Sequence, residues 1–135
     1  MTEGRWSFLE DPIAGVPRPF VPVTLEGLSD TAFLCLLDSG SLRNRFGRWV
    51  AEAVGVDLTD GTESRLGLGG FQTTAVTVPV ELRLGDAVWQ APVSFCDPWP
   101  LGFQILGQEG FFRFFRVAFR AAAYSAAYSM DCAPE

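Results

Sequence analysis

The sequence predicts a mostly β domain with two short helices, on three observations. Val76, Val78, Val80, Leu82 and Leu84 share one face of an extended run, with Thr77, Pro79, Glu81 and Arg83 on the other. Gly85-Asp86 then offers a two-residue turn, and Ala87, Trp89, Ala91, Val93 and Phe95 carry the alternation back. Upstream, residues 31–37 are apolar on both faces, as in a strand buried mid-sheet.

The remaining elements follow in chain order. Residues 1–19, punctuated by Pro12, Pro17 and Pro19, read as an extended arm, and residues 20–135 as a single domain. Phe20 to Leu25 is a strand, placed outside the 31–37 run because Pro22 lacks an N–H, and Glu26-Gly27 turns it. Over residues 45–54 the period changes. Phe46, Trp49, Val50, Ala53 and Val54 fall on one helical face, and Gly55 follows as a stop. Residues 57–63 form a polar loop and residues 66–70 a glycine-rich element. After the Pro-rich loop 97–100 come Gln104-Ile105-Leu106-Gly107 and a second helix from Gln108 to about Phe114. Phe115, Val117 and Phe119 alternate once more, and residues 124–130 are expected to pair back as a last strand.

Composition narrows the chemistry. With 135 residues, 48% apolar and 19% charged, the chain is long enough for one core and too apolar to be disordered. Cys35, Cys96 and Cys132 show no CxxC spacing, and there is no histidine. That argues against a disulfide framework and a zinc site, and it removes every Ser-His or Cys-His nucleophile. An enzyme built from this chain therefore needs carboxylates for acid–base work, with no metal and no cofactor expected. A net charge of −6 disfavours nucleic acid as a partner. The apolar run at residues 33–37 is too short to cross a bilayer, and the first residues lack an apolar signal segment. No membrane partner and a cytoplasmic setting are the expectation.

The stretch that carries chemistry is Asp38-Ser39-Gly40-Ser41, which leaves the end of the apolar run. A carboxylate there sits at the low-dielectric edge of a core, where acid–base groups are found. Ser39 can bond neighbouring backbone, and Gly40 admits a close approach. The other acids, Asp30, Asp57, Asp60, Asp86, Asp97 and Asp131, lack that setting. Cys35 reads as a small buried hydrophobe, Trp49 and Trp89 as core or interface aromatics, and Arg113, Arg116 and Arg120 as a solvated side.

In this order the landmarks resemble the retropepsin-like aspartic peptidases over roughly residues 20–119. Leu37-Asp38-Ser39-Gly40 looks like the Asp-Thr/Ser-Gly signature. Leu66, Gly67, Leu68, Gly69, Gly70 and Phe71 are similar to the flap that closes over a bound peptide. Ile105-Leu106-Gly107 matches the hydrophobic-hydrophobic-Gly element that packs beside the catalytic loop. The resemblance implies a small closed barrel-like acid-protease fold and an endopeptidase acting on a peptide or protein substrate. Asp38 is then the catalytic acid, with Ser39 and Gly40 supporting its loop. A single Asp-Ser-Gly implies that the second carboxylate comes from another copy, so the chain's partner is itself in a homodimer. Retroviral members often pair an Arg after the late Gly with an acid four residues past the catalytic Asp. Here those positions are Gln108 and Leu42. The alternative reading is a non-catalytic peptide-binding or scaffold module of the same fold.

Overall fold

The long hairpin expected around Gly85-Asp86 is the largest element of the computed structural model, which describes residues 4–11, 13–27, 30–121 and 128–135. In chain order the strands are β1 (Gly4–Ser7), β2 (Leu9–Glu10), β3 (Pro17–Arg18), β4 (Phe20–Leu25), β5 (Phe33–Leu37) and β6 (Asn44–Gly47). Helix α1 (Arg48–Val54) follows, then β7 (Thr62–Leu68), β8 (Phe71–Leu84), β9 (Ala87–Asp97) and β10 (Gln104–Leu106). A single π-helical turn (Gln108–Phe112) leads to β11 (Phe115–Arg120) and β12 (Ser129–Pro134).

Six strands close into a barrel. They hydrogen-bond in the order β4-β5-β10-β6-β9-β8, and β8 returns to β4 through Thr24–Arg83 and Leu25–Leu82. Closure leaves those strands without free edges. The alternating faces of β8 and β9 decide what fills the interior: Val80, Leu82, Val93 and Phe95 are fully buried, together with Val21, Val23, Cys35 and Leu106. Phe46 meets Phe95 edge to face at 6.1 Å between ring centres. Burying each such side chain stabilises the fold by about 1.5–3 kcal/mol. Strand β7 continues the sheet beyond the barrel, paired among the described residues with β8 alone, along Thr62–Thr77 to Leu68–Phe71.

A second, three-stranded sheet, β1-β12-β11, joins the two ends of the chain. Asp131 on β12 fastens it, accepting from Arg5 Nε at 2.6 Å and Arg120 Nη2 at 2.9 Å. Arg120 is therefore paired as well as solvated.

Local expectations need correction in four places. The polar loop expected over residues 57–63 ends early, because Thr62 and Glu63 already pair with Thr77 and Val76 as the start of β7. Residues 45–47 belong to β6, so α1 starts at Arg48 and its buried residues are Val50, Ala51 and Val54. Phe46 fits the helical period by coincidence, because it alternates inward on a strand, while Trp49 stays half exposed against Phe33. The second helix is shorter than residues 108–114 and is wound as a π turn. Of the last strand expected over 124–130, residues 124–127 lie outside the described ones, and β12 begins at Ser129.

Candidate functional site

Strand β5 is central, paired with β4 on one side and β10 on the other, and Asp38 is the first residue beyond it. Its backbone is tied from a neighbouring strand, the N–H donating to the Leu106 carbonyl at 3.0 Å. The next residues turn back at once. Ser41 N–H donates to the Asp38 carbonyl at 3.1 Å, and Gly40 N–H donates to Asp38 Oδ1 at 2.9 Å. One carboxylate oxygen is thus oriented by the loop that carries it. Asp38 is partly exposed, and Ser39 and Gly40 are exposed.

Ile105 and Leu106 run parallel to Leu36 and Leu37, which sets Gly107 beside the Asp38 loop. That contact is close enough to require glycine: a Cβ at Gly107 would run into the carbonyl oxygens of Arg43 and Ser41. Gln108 N–H donates to the Ser41 carbonyl at 2.8 Å, and its side-chain Nε2 donates to the Ser39 carbonyl at 2.6 Å. Gln108, noted in the sequence for the Arg it replaces, therefore still bridges to the loop. Asn44 completes the brace, holding Gly107 and Gly110 from β6. Sequence reasoning missed Asn44. Its only signal was a polar residue between two segments that both pack inward.

Leu66, Gly67, Leu68, Gly69, Gly70 and Phe71 form the tip of the β7–β8 hairpin. Gly69 and Gly70 make its two-residue turn, with φ of +53° and +88°. Gly69 and Phe71 line one cleft with Asp38, Leu36, Phe103 and Ile105, a space of ≈ 520 Å³. Arg18 stands at its edge, its guanidinium 5.8 Å from the Phe103 ring and paired with Asp11 at 2.9 Å. Backbone N–H groups of Ala14 and Ile13, with Arg18, hold Asp11 below the usual carboxylate range. The hairpin tip and the carboxylate, 28 or more residues apart in sequence, thus face one apolar space. Arg18 and Phe103 were not expected there.

The thiols take no part. Cys35, Cys96 and Cys132 are buried, and burial pushes Cys96 up to about 11 and Cys132 to about 12, with Cys35 also well raised. Among the described residues there is no cluster of three metal-ligating side chains, and no helix is long and apolar enough to cross a membrane.

No protein-family model and no curated protein matches the sequence. Solved structures do match. A retropepsin-like aspartic protease from Rickettsia conorii superposes with a TM-score of 0.63 at 14% identity, over 99% of this chain and 95% of the other. The retroviral protease-like domain of Ddi1 from Leishmania major gives 0.57 at 16% identity, over 75% and 81%. The EIAV protease, complexed with the inhibitor HBY-793, gives 0.52 at 19% identity, over 67% and 82%. The fold is that of the retropepsin-like aspartic proteases.

Proposed function

We propose that this chain is one half of a homodimeric aspartic endopeptidase in which two Asp38 carboxylates meet on a two-fold axis. The observation that carries the reading is the shared cleft of Asp38, the Gly69–Gly70 hairpin tip and an apolar wall of Leu36, Phe103 and Ile105.

Two carboxylates side by side cannot both ionise cheaply, so the pair shares one proton. The charged member takes a proton from a water held between them, and that water attacks the scissile carbonyl carbon. The protonated member donates a hydrogen bond to the carbonyl oxygen as charge develops there. Gly40 N–H, donating to Oδ1, fixes the carboxylate plane and leaves Oδ2 for this exchange. Gln108 and Gly107 stiffen the loop from behind. The substrate is an extended peptide laid between the barrel and the β7–β8 hairpin, which serves as the flap, with main-chain bonds to strand edges. Apolar side chains beside the cleaved bond fill the cleft. The chemistry needs neither metal nor cofactor.

The test is cleavage of an unstructured protein by wild type and by Asp38→Asn. Asparagine keeps the shape and loses the ionisable proton, so cleavage should vanish while the fold stays as stable or gains stability from the relieved pair. Equal cleavage by both proteins sinks the peptidase reading. Peptide binding without cleavage by either protein points instead to a non-catalytic module, as a lone carboxylate in a monomer would.

A further inference from the structure

Strand β6 carries one side chain for which the barrel gives no reason. Asn44 and Phe46 are buried, whereas Arg45 between them points to the opposite face. The Cα partner of Arg45 on β10 is Ile105, whose own partner on β5 is Leu36. Cross-strand partners share a face, so Arg45 stands on the face that Leu36 and Ile105 present to the cleft. Two strand spacings separate it from Leu36, about 10 Å.

The guanidinium has an unusual set of contacts. Nη1 donates to the Gly67 carbonyl of the hairpin at 3.1 Å, so Arg45 spans the gap between barrel and flap. Nε is buried and has no acceptor. Among the described residues no salt bridge reaches Arg45 to meet that donor. A buried donor of a charged group is costly to leave unmet, and a well-placed carboxylate satisfies a guanidinium edge with two parallel bonds. Lifting the hairpin to admit a peptide would part Arg45 from Gly67 and open that edge.

We propose that Arg45 is a specificity-determining residue that receives the carboxylate of an Asp or Glu side chain of the substrate, at one fixed position beside the residue filling the apolar cleft. This rests on the peptidase reading and deepens it: the preferred substrate is an acidic peptide with an apolar side chain at the cleaved bond. The acid displaces the Gly67 contact and holds the peptide between β6 and the flap.

The probes are synthetic decapeptides with a central Leu-Phe, Glu scanned through every other position, and the matching Gln peptides. Wild type should favour Glu over Gln about tenfold in kcat/KM at one position, through KM rather than kcat. Arg45→Leu should bring that ratio to about one, and Arg45→Lys should keep part of it as a point charge without the fork. Thermal melts confirm that each variant is folded. No preferred position in wild type, or a ratio that persists in Arg45→Leu, overturns the assignment. Fluorescence anisotropy with Asp38→Asn and with the double variant Asp38→Asn, Arg45→Leu separates this from failure of the peptidase reading. Tighter binding of the Glu peptide that requires Arg45 upholds the assignment even where wild type cleaves nothing. Equal binding of the Glu and Gln peptides, or none, overturns it.

Discussion

Asn44 holds Gly110 and Gly107 at once: its Nδ2 donates to the Gly110 carbonyl at 3.1 Å, and its Oδ1 accepts the Gly107 N–H at 3.0 Å. The same Gly110 carbonyl also accepts from Trp89 Nε1 at 2.7 Å. All of these groups are buried, so one amide side chain fixes where β10 ends and where the π turn begins. That turn sends Gln108 to the loop of Asp38, which places Asn44 one step behind the candidate catalytic carboxylate.

Replacing Asn44 with Leu leaves the Gly107 N–H buried without an acceptor, while Gly110 keeps Trp89. The cost should be about 2 kcal/mol, read as a lower urea midpoint. Gly107→Ala should be worse, because the methyl meets two backbone carbonyls rather than a side chain able to move. A Gly107→Ala protein as stable as wild type would mean that the loops are not packed as described.

At the hairpin tip, Gly69 and Gly70 both take positive φ, which β-branched residues adopt only under strain. Nothing lies within 4 Å of a Cβ built at either position, so space is not the constraint. Gly69→Val should therefore cost only about 1–2 kcal/mol in stability, yet reduce peptide turnover strongly by distorting the tip over the cleft. Unchanged turnover with an intact fold would reduce the segment to a plain turn.

Much of this was legible in the sequence where the pattern is local. The β8–β9 alternation and the two-residue turn at 85–86 are set by neighbours a few residues apart, and they stand as read. Residues 45–54 misled because Phe46 satisfies both a helical and a strand period, and only pairing with β9 and β10 selects the strand. The aromatics of residues 111–115 join the core through contacts that only the fold creates. Phe111 stacks on Phe115 at 4.4 Å and both pack under Trp89. Asn44, Arg45 and Arg18 act through partners 7 to 66 residues away, and no spacing rule announces such contacts.

The proposed homodimer predicts where two copies would meet. Within residues 111–119, Phe119 alone is a large exposed hydrophobic, and it packs edge-on against Phe8. Two Asp38 side chains can meet only if the loop around them lies at the two-fold, and Leu42 in that loop is half exposed. Leu42→Asp would set like charges across the axis. It should weaken the dimer at least tenfold by sedimentation, with cleavage recovering at high protein concentration. Phe119→Ser should leave assembly nearly unchanged. The reverse pattern would move the interface away from the candidate site.

Acid should loosen the sheet that joins the chain ends before it disturbs the barrel. Hydrogen bonds from Arg5 and then Arg120 hold the Asp131 carboxyl below its ordinary value of 3.8. Asp131 is therefore less protonated in the folded chain than in the unfolded one near that pH. The stability it contributes is fully present above the unfolded value and is lost as pH falls through the lower folded one. Asp131→Asn should be less stable than wild type at neutral pH and should show a shallower loss of stability below about pH 4, as fewer protons are taken up on unfolding. Asp11, also lowered, remains in the variant and keeps part of the slope. The measurement is the urea midpoint from pH 7 down to pH 2 for both proteins. Parallel curves would show that the Arg5–Asp131–Arg120 contacts contribute nothing to stability. Convergence of the two curves in acid would identify that ion cluster as what keeps β1 on β12.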